Sequence, residues 1–188
     1  MREHALTFVL LSCACAGSQS SSADLVHVKS DATQVTVEGF TIARPSGWAF
    51  LAPDASVGND TVIILQGPAN ESALAPVVEV SRRALSAHDQ RRKPAHILTQ
   101  AVTEVVQLFE SFESVGEPTD VEIAGLPAAR LSMAFTEQLA EGGEVKRAAR
   151  FYGVVHGGKI WLIRCMGAEN GSTDADFQKI VQSITIDG

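Results

Sequence analysis

The sequence predicts an α+β fold, a three-layer α/β/α sandwich around a central, mostly antiparallel sheet. The first observation behind this prediction is the stretch 147–167, RAARFYGVVHGGKIWLIRCMG, in which two apolar runs flank Gly157-Gly158. A Gly-Gly pair is typical of tight hairpin turns, because both central residues of such turns take positive φ. The second observation is a pair of amphipathic helical segments that could cover the two faces of the sheet.

The turn at Gly157-Gly158 sets the pairing of the hairpin, so that Val155 faces Ile160 and Arg150 faces Cys165. The two faces then hold, respectively, Phe151, Gly153, Val155, Ile160, Leu162 and Met166, and Tyr152, Val154, Trp161, Ile163 and Cys165. Both sets are largely apolar, whereas an antiparallel sheet wetted on one side alternates apolar and polar residues. The hairpin is therefore expected to need cover on both faces.

Two segments have the spacing of amphipathic helices. The first starts at Pro94, since proline is well placed in a first helical turn, and it extends to Phe112. Its apolar stripe consists of Ile97, Leu98, Ala101, Val102, Val105, Leu108, Phe109 and Phe112. The second follows Thr173, which resembles an N-terminal cap with acidic residues behind it. Its apolar stripe consists of Phe177, Ile180, Val181 and Ile184.

Shorter runs with strand patterning precede these helices and lie between them. They cover 35–37, 40–42, 61–65, 76–85, 121–123 and 128–135. Trp48 follows the Pro45-Ser46-Gly47 corner, and we expect it to plug the end of the core rather than to bind a ligand.

Composition describes an ordinary globular chain. With 188 residues, 45% of them hydrophobic and 20% charged, it has room for one domain with a substantial core. The net charge of −7 is spread along the chain and disfavours nucleic acid or anionic lipid as a main partner. No segment reaches the roughly 18 apolar residues that a membrane-spanning helix needs.

The N-terminus has the features of an export signal, with a basic start and a short apolar stretch. We divide the chain into a lipoprotein-type signal peptide (1–12), a Ser-rich tether (13–32) and a sandwich domain (33–188). Leu10-Leu11-Ser12-Cys13 looks like a bacterial lipobox, which makes Cys13 the lipid attachment residue and implies a palmitate-bearing anchor. Because Ala14 rather than aspartate follows, the expected location is the outer membrane, facing the periplasm.

Two other interpretations of the N-terminus stay open. Ala14-Cys15-Ala16 matches the A-x-A pattern of ordinary signal peptidase, and cleavage after Ala16 would release a soluble secreted chain. The plainest alternative is an unstructured N-terminus on a cytosolic protein.

The order of the elements resembles the PsbP-like superfamily, which also includes the Ran-binding nuclear import factor and bacterial lipoproteins. The motif F-x-I-x-x-P-x-G-W runs from Phe40 to Trp48, a G-x-P turn lies at Gly125 and Pro127, and F-x-x-I-V-x-S-I starts at Phe177. The resemblance covers about 33–186 and implies an antiparallel sheet between helical layers. It transfers no site residue, since members of this fold bind different partners.

The sequence contains none of the common catalytic, phosphate-binding or zinc motifs, so we expect no enzyme activity, no metal and no cofactor. His156 is expected to be a solvent-facing turn residue, and Cys165 a buried small hydrophobe. Arg91-Arg92-Lys93 could touch phosphate or an acidic partner, but a solvated loop is the favoured interpretation. The acidic segment 137–144 lacks the ligand spacing of a calcium loop.

These observations lead to the hypothesis of a non-catalytic cell-envelope lipoprotein. It would be held to the membrane by its N-terminal lipid anchor and would bind another envelope protein through the sandwich domain. The alternative is a carrier that binds a small apolar ligand or lipid between a helix and the sheet, beside Gly153. A hydrolytic enzyme is a third hypothesis and would require polar groups converging in a cleft.

Overall fold

The computed structural model describes residues 32–53, 60–69, 75–106, 112–114, 116–138, 143–169 and 173–187. The elements, in chain order, are β1 (Gln34–Val37), β2 (Phe40–Ala43), β3 (Ala49–Leu51), β4 (Thr61–Gln66), β5 (Val77–Ala84), α1 (Pro94–Val106), β6 (Phe112–Ser114), β7 (Thr119–Ile123), β8 (Leu126–Gln138), β9 (Glu144–His156), β10 (Lys159–Ala168), α2 (Asp174–Gln182) and β11 (Thr185–Ile186). The fold is α+β, and the strand pairings of these residues are antiparallel.

The strands form two sheets rather than the single sheet expected from the sequence. The large sheet has the order β3-β4-β5-β10-β9-β8, and β6 and β7 both pair with the outer edge of β8. The small sheet has the order β1-β2-β11. It separates from the large sheet because β2 pairs on one side with β1 and on the other with β11, from the far end of the chain.

The hairpin β9–β10 forms the centre of the large sheet with the predicted register. Val155 faces Ile160, and Arg150 faces Cys165. Gly157 and Gly158 have φ of 57° and 74°, the positive values that a tight hairpin turn requires at both positions. The prediction from the Gly-Gly pair is confirmed.

Helix α1 covers the first face of this hairpin. Leu98 and Val102 pack in one buried cluster with residues of β8 and β9, among them Met133 and Phe151. Ile97 packs nearer the turn, against Ile160.

The second face is covered by the small sheet together with α2. Phe40 of β2 stacks on Trp161 of β10, with ring centroids 4.7 Å apart. Phe177 and Ile180 of α2 are buried in the same cluster. Both faces of the hairpin are therefore packed, as its apolar pattern requires, but a helix accounts for only part of the second layer.

The first helix is shorter than predicted. The described helix runs to Val106, and Phe112, where the predicted helix was expected to end, begins strand β6 opposite Phe135 of β8. Leu108 and Phe109 lie outside the described residues. Phe112 falls on the helical period, but hydrogen bonding to the edge of β8 determines its conformation instead.

Helix α2 begins where predicted, although its expected cap is incomplete. Thr173 occupies the N-cap position with helical backbone angles, and its side chain makes no capping hydrogen bond. The helix ends at Gln182, so Ile184 is buried just beyond it rather than within it. Within the described part of the chain, no helix is long and apolar enough to cross a membrane.

Candidate functional site

The predicted lipid attachment residue lies outside the described residues. Cys13, the signal peptide and all of the tether except residue 32 precede the first described residue. The anchor and the division of the N-terminus therefore stay predictions.

Trp48 is a core residue, as predicted. Its indole is 2% exposed, meets the ring of Phe177 edge to face at 5.9 Å, and donates a hydrogen bond from Nε1 to Oδ2 of Asp176 at 3.2 Å. The ring also passes so close to Gly67 that a Cβ there would come within 2.7 Å of it. Trp48 thus connects the large sheet to α2.

Cys165 is a buried core residue, as predicted, and it lies several residue pairs along the hairpin from His156. The Cys165 thiol is fully buried, and burial raises its pKa to about 12, so it remains protonated at neutral pH. His156 pairs with Lys159 beside the hairpin turn, whereas Cys165 pairs with Arg150 near the other end of the strands. The two side chains do not form a nucleophile–base pair.

The basic run before α1 is partly used in local structure. Arg92 donates from Nη1 to Oδ1 of Asp89 at 3.2 Å and to Oε1 of Gln100 at 3.0 Å. A hydrogen bond from Ser86, followed by that from Arg92, lowers the pKa of Asp89. Arg92 therefore fixes the turn that leads into the helix, while Arg91 is exposed.

The acidic segment 137–144 is described only at its ends. Glu137 accepts a hydrogen bond on Oε2 from Nη1 of the buried Arg147, at 2.8 Å. Among the described residues, no three His, Cys, Asp or Glu side chains are grouped so that they could hold a metal ion.

The place proposed for an apolar ligand is filled. A Cβ at Gly153 would lie 3.3 Å from Cδ1 of Ile160 and 3.3 Å from Cβ of Leu98. Helix and sheet are thus in direct contact at the point where the carrier hypothesis expects a cavity.

A polar group that the sequence did not single out lies on the α2 side of strands β8 and β9. Arg130 is directly opposite Tyr152, and Ser132 is directly opposite Arg150. Because paired residues share a face and alternate residues return to it, all four side chains stand on one face. We call these four residues the Tyr152 platform.

The members of the Tyr152 platform are hydrogen-bond donors that differ in exposure: Arg130 is exposed, Ser132 and Arg150 are half-buried, and Tyr152 is buried in the core with 7% of its surface exposed. Arg150 is paired with the exposed Asp174 at the start of α2, at 2.5 Å. Arg130 is exposed and has no carboxylate within ion-pair distance among the described residues. Burial raises the pKa of Tyr152, with Cys165 adding to it and both arginines opposing it, so the phenol is a protonated donor.

Sequence reasoning missed this group because it depends on the register between β8 and β9. Arg150 was placed opposite Cys165, but nothing in the sequence fixed which residue of β8 would lie beside it. The signal that could have found it is a single arginine in each of two largely apolar runs, Arg130 in 128–135 and Arg150 in 148–155.

The sequence matches no protein-family model and no curated protein. Solved structures do match it, 25 chains in all. One is the cyanobacterial PsbP (CyanoP) of Synechocystis, with a TM-score of 0.58 and 11% identity, covering 80% of this chain and 88% of CyanoP. The fold is PsbP-like.

Two further structures share the PsbP-like fold. LpqN of Mycobacterium tuberculosis, described as involved in cell envelope biogenesis, has a TM-score of 0.54 and 15% identity, covering 79% of this chain and 83% of LpqN. A Bacteroides thetaiotaomicron protein has a TM-score of 0.53 and 12% identity, covering 83% of this chain. The chain spans only 48% of that protein's length. At these identities the likeness shows the fold alone, and at that level the resemblance inferred from the sequence is confirmed.

Proposed function

We propose that this chain is a non-catalytic lipoprotein of the cell envelope, anchored through Cys13, whose folded domain binds another envelope protein. The anchor would face the periplasm from the outer membrane, and the Ser-rich tether would hold the domain away from the lipid. The proposal includes a three-layer sandwich, with α1 as one outer layer and α2 together with the small sheet as the other.

The similarity to LpqN is the observation that carries this proposal. A protein involved in cell envelope biogenesis shares the PsbP-like fold over 79% of this chain, and the N-terminus of this chain independently predicts export.

Two features of the described residues favour binding over catalysis or carriage. The buried thiol of Cys165, with a pKa of about 12, is a poor nucleophile, and its neighbour across the strands is Arg150 rather than a base. The contact of Leu98 and Ile160 with the Cβ position of Gly153 leaves no room there for an apolar ligand.

Metabolic labelling with a fatty acid tests the anchor. Wild type is expected to incorporate the label and to fractionate with membranes, whereas Cys13→Ala incorporates none. Cys15→Ser is the matched control, since it removes a neighbouring thiol outside the lipobox and is expected to be labelled like wild type. Label that survives Cys13→Ala contradicts the lipobox assignment.

Crosslinking of the full-length chain in intact cells tests the binding role. The expected result is one protein that reproducibly crosslinks to the wild-type chain, identified by mass spectrometry. A chain that forms no protein crosslink, or that co-purifies with a lipid instead, contradicts the proposed role.

A further inference from the structure

The strongest unexplained feature of the surface is the pair of arginines in the Tyr152 platform. Arg130 and Arg150 lie on adjacent strands, in positions diagonal to each other. Diagonal neighbours on one face of a sheet are close enough to interact, and like charges in such positions repel. Asp174 supplies one carboxylate, to Arg150, so the described residues leave two cations with a single counter-ion.

The groups around Arg130, the cation without a carboxylate partner among the described residues, are those of an anion-binding site. The hydroxyl of Tyr152 lies within electrostatic range of both arginines. The Ser132 hydroxyl belongs to the next residue pair on the same face, where Ser132 is opposite Arg150. A guanidinium offers five N–H donors and no acceptor, and each hydroxyl adds one donor. The platform therefore offers many donors to a ligand that brings oxygen acceptors.

The pair Arg150–Asp174 indicates which anion fits. It places a carboxylate against this face of the sheet, where the planar guanidinium fork matches the two carboxylate oxygens. Arg130 presents the same fork two residue pairs further along the strands, beside the buried Tyr152, and arginine is a residue type enriched in protein interfaces.

Charge argues for a protein segment rather than a membrane surface. Recognition of anionic lipid by a polybasic patch takes about four to eight Lys or Arg side chains. The platform has two, one of them already paired, on a chain of net charge −7. A single Asp or Glu side chain needs no more than one free guanidinium.

We infer that the Tyr152 platform is the contact surface for the partner protein, and that its exposed Arg130 binds a partner Asp or Glu carboxylate beside the Arg150–Asp174 pair. The inference rests on the proposed function for the existence of a partner. Beyond the proposed function, it specifies which surface of the domain contacts the partner and which chemical group of the partner is bound.

Site-specific photocrosslinking in cells tests the inference on the full-length chain. A benzoylphenylalanine is introduced at Thr119, which is exposed and directly opposite Arg130. A second chain carries it at Thr99, which is exposed on α1, the helix that covers the other face of the large sheet. The expected result is a protein crosslink from position 119 that is absent or weak from position 99.

Charge reversal at Arg130 provides the decisive comparison. Arg130→Glu is expected to lower the crosslink yield from position 119 about tenfold or more. Arg91→Glu, which makes the same charge change at an exposed site before α1, is expected to leave the yield within about twofold. Arg130→Gln, which removes the charge without reversing it, gives an intermediate loss. Thermal melting of each variant confirms that the exposed substitutions leave the domain folded.

A charge swap identifies the bound group. Mass spectrometry of the crosslinked peptide locates the partner's Asp or Glu, and its replacement by Lys is expected to restore crosslinking to Arg130→Glu. Equal losses in Arg130→Glu and Arg91→Glu, absence of rescue, or a crosslinked lipid in place of a protein overturns the inference. Absence of a protein crosslink from position 119 refutes the platform. The proposed function stands if a protein still crosslinks from position 99 or elsewhere on the full-length chain, and it is refuted if none does.

Discussion

Leu98 of α1 rests directly on the backbone of Gly153 in β9. A Cβ at Gly153 would lie 3.3 Å from Cβ and 3.4 Å from Cδ1 of Leu98, closer than side chains ordinarily pack. The helix approaches the sheet this closely because residue 153 has no side chain, and Leu98 is fully buried as a result. The contact fixes the height of α1 above the hairpin.

Gly153→Val should therefore destabilise the domain, by about 1–3 kcal/mol, because the added methyl groups have no space under the helix. In an open strand the same change would stabilise the protein, since valine is the better strand former. Urea unfolding measures the loss. Leu98→Ala in the Gly153→Val background should recover part of it, so simple additivity of the two changes would contradict the contact.

Trp48 should contribute far more through packing than through its hydrogen bond to Asp176. We expect Trp48→Ala to cost about 3–5 kcal/mol, as for other large buried aromatic residues. Asp176→Ala, which removes the half-buried acceptor of the indole N–H, should cost about 0.5–1.5 kcal/mol. Denaturant midpoints measure both values. Similar losses of stability in the two variants would show that packing of the indole is not the main contribution of Trp48.

Cys165 should resist alkylation in the folded chain. Its pKa, raised from 9.0 to about 12, leaves about a thousandfold less thiolate at pH 8 than an ordinary cysteine has. The measurement is iodoacetamide labelling of a Cys13→Ser/Cys15→Ser chain, with and without urea. Labelling is expected only in urea. Rapid labelling of the native chain would place Cys165 at the surface.

The same thiol should make the domain less stable in alkali. The folded state holds the Cys165 proton up to a pKa of about 12, whereas the unfolded chain releases it near 9.0. Between these values the folded state binds more protons, so stability falls as pH rises, by up to about 1.4 kcal/mol per pH unit.

Urea unfolding of wild type and Cys165→Ala between pH 8 and about pH 11 measures this dependence. In Cys165→Ala, the free energy of unfolding should fall less steeply with pH, because the contribution of the thiol is absent. Tyr152, whose pKa is also raised, accounts for alkaline sensitivity that remains above its own ordinary value of 10.0. Identical slopes in the two proteins would contradict the assignment to Cys165.

Local signals were sufficient for the parts of the fold whose conformation is decided locally. Gly157-Gly158 admits few turns, so it determined both the hairpin and its register. The corner before Trp48 and the apolar stripe of α2 were equally informative, because a proline or a helical period constrains its immediate neighbours.

Pairings between residues far apart in the chain could not be predicted from the sequence. Phe112 continues the helical period, and only the edge of β8 makes it a strand residue. The register of β8 against β9 depends on a connection whose length determines which residues face each other. The pairing of Arg130 with Tyr152 follows only from that register, so sequence motifs alone do not predict the Tyr152 platform.

The small sheet has a consequence for how the chain is made. Strand β11 pairs with Phe40 and Thr41 of β2, so residues at the start of the domain obtain backbone partners from residues that are synthesised long after them. The small sheet that carries Phe40 onto Trp161 can therefore be completed only after β11 has been synthesised. In the proposed export from the amino end, this late completion of the small sheet would leave the polypeptide open to passage across the membrane.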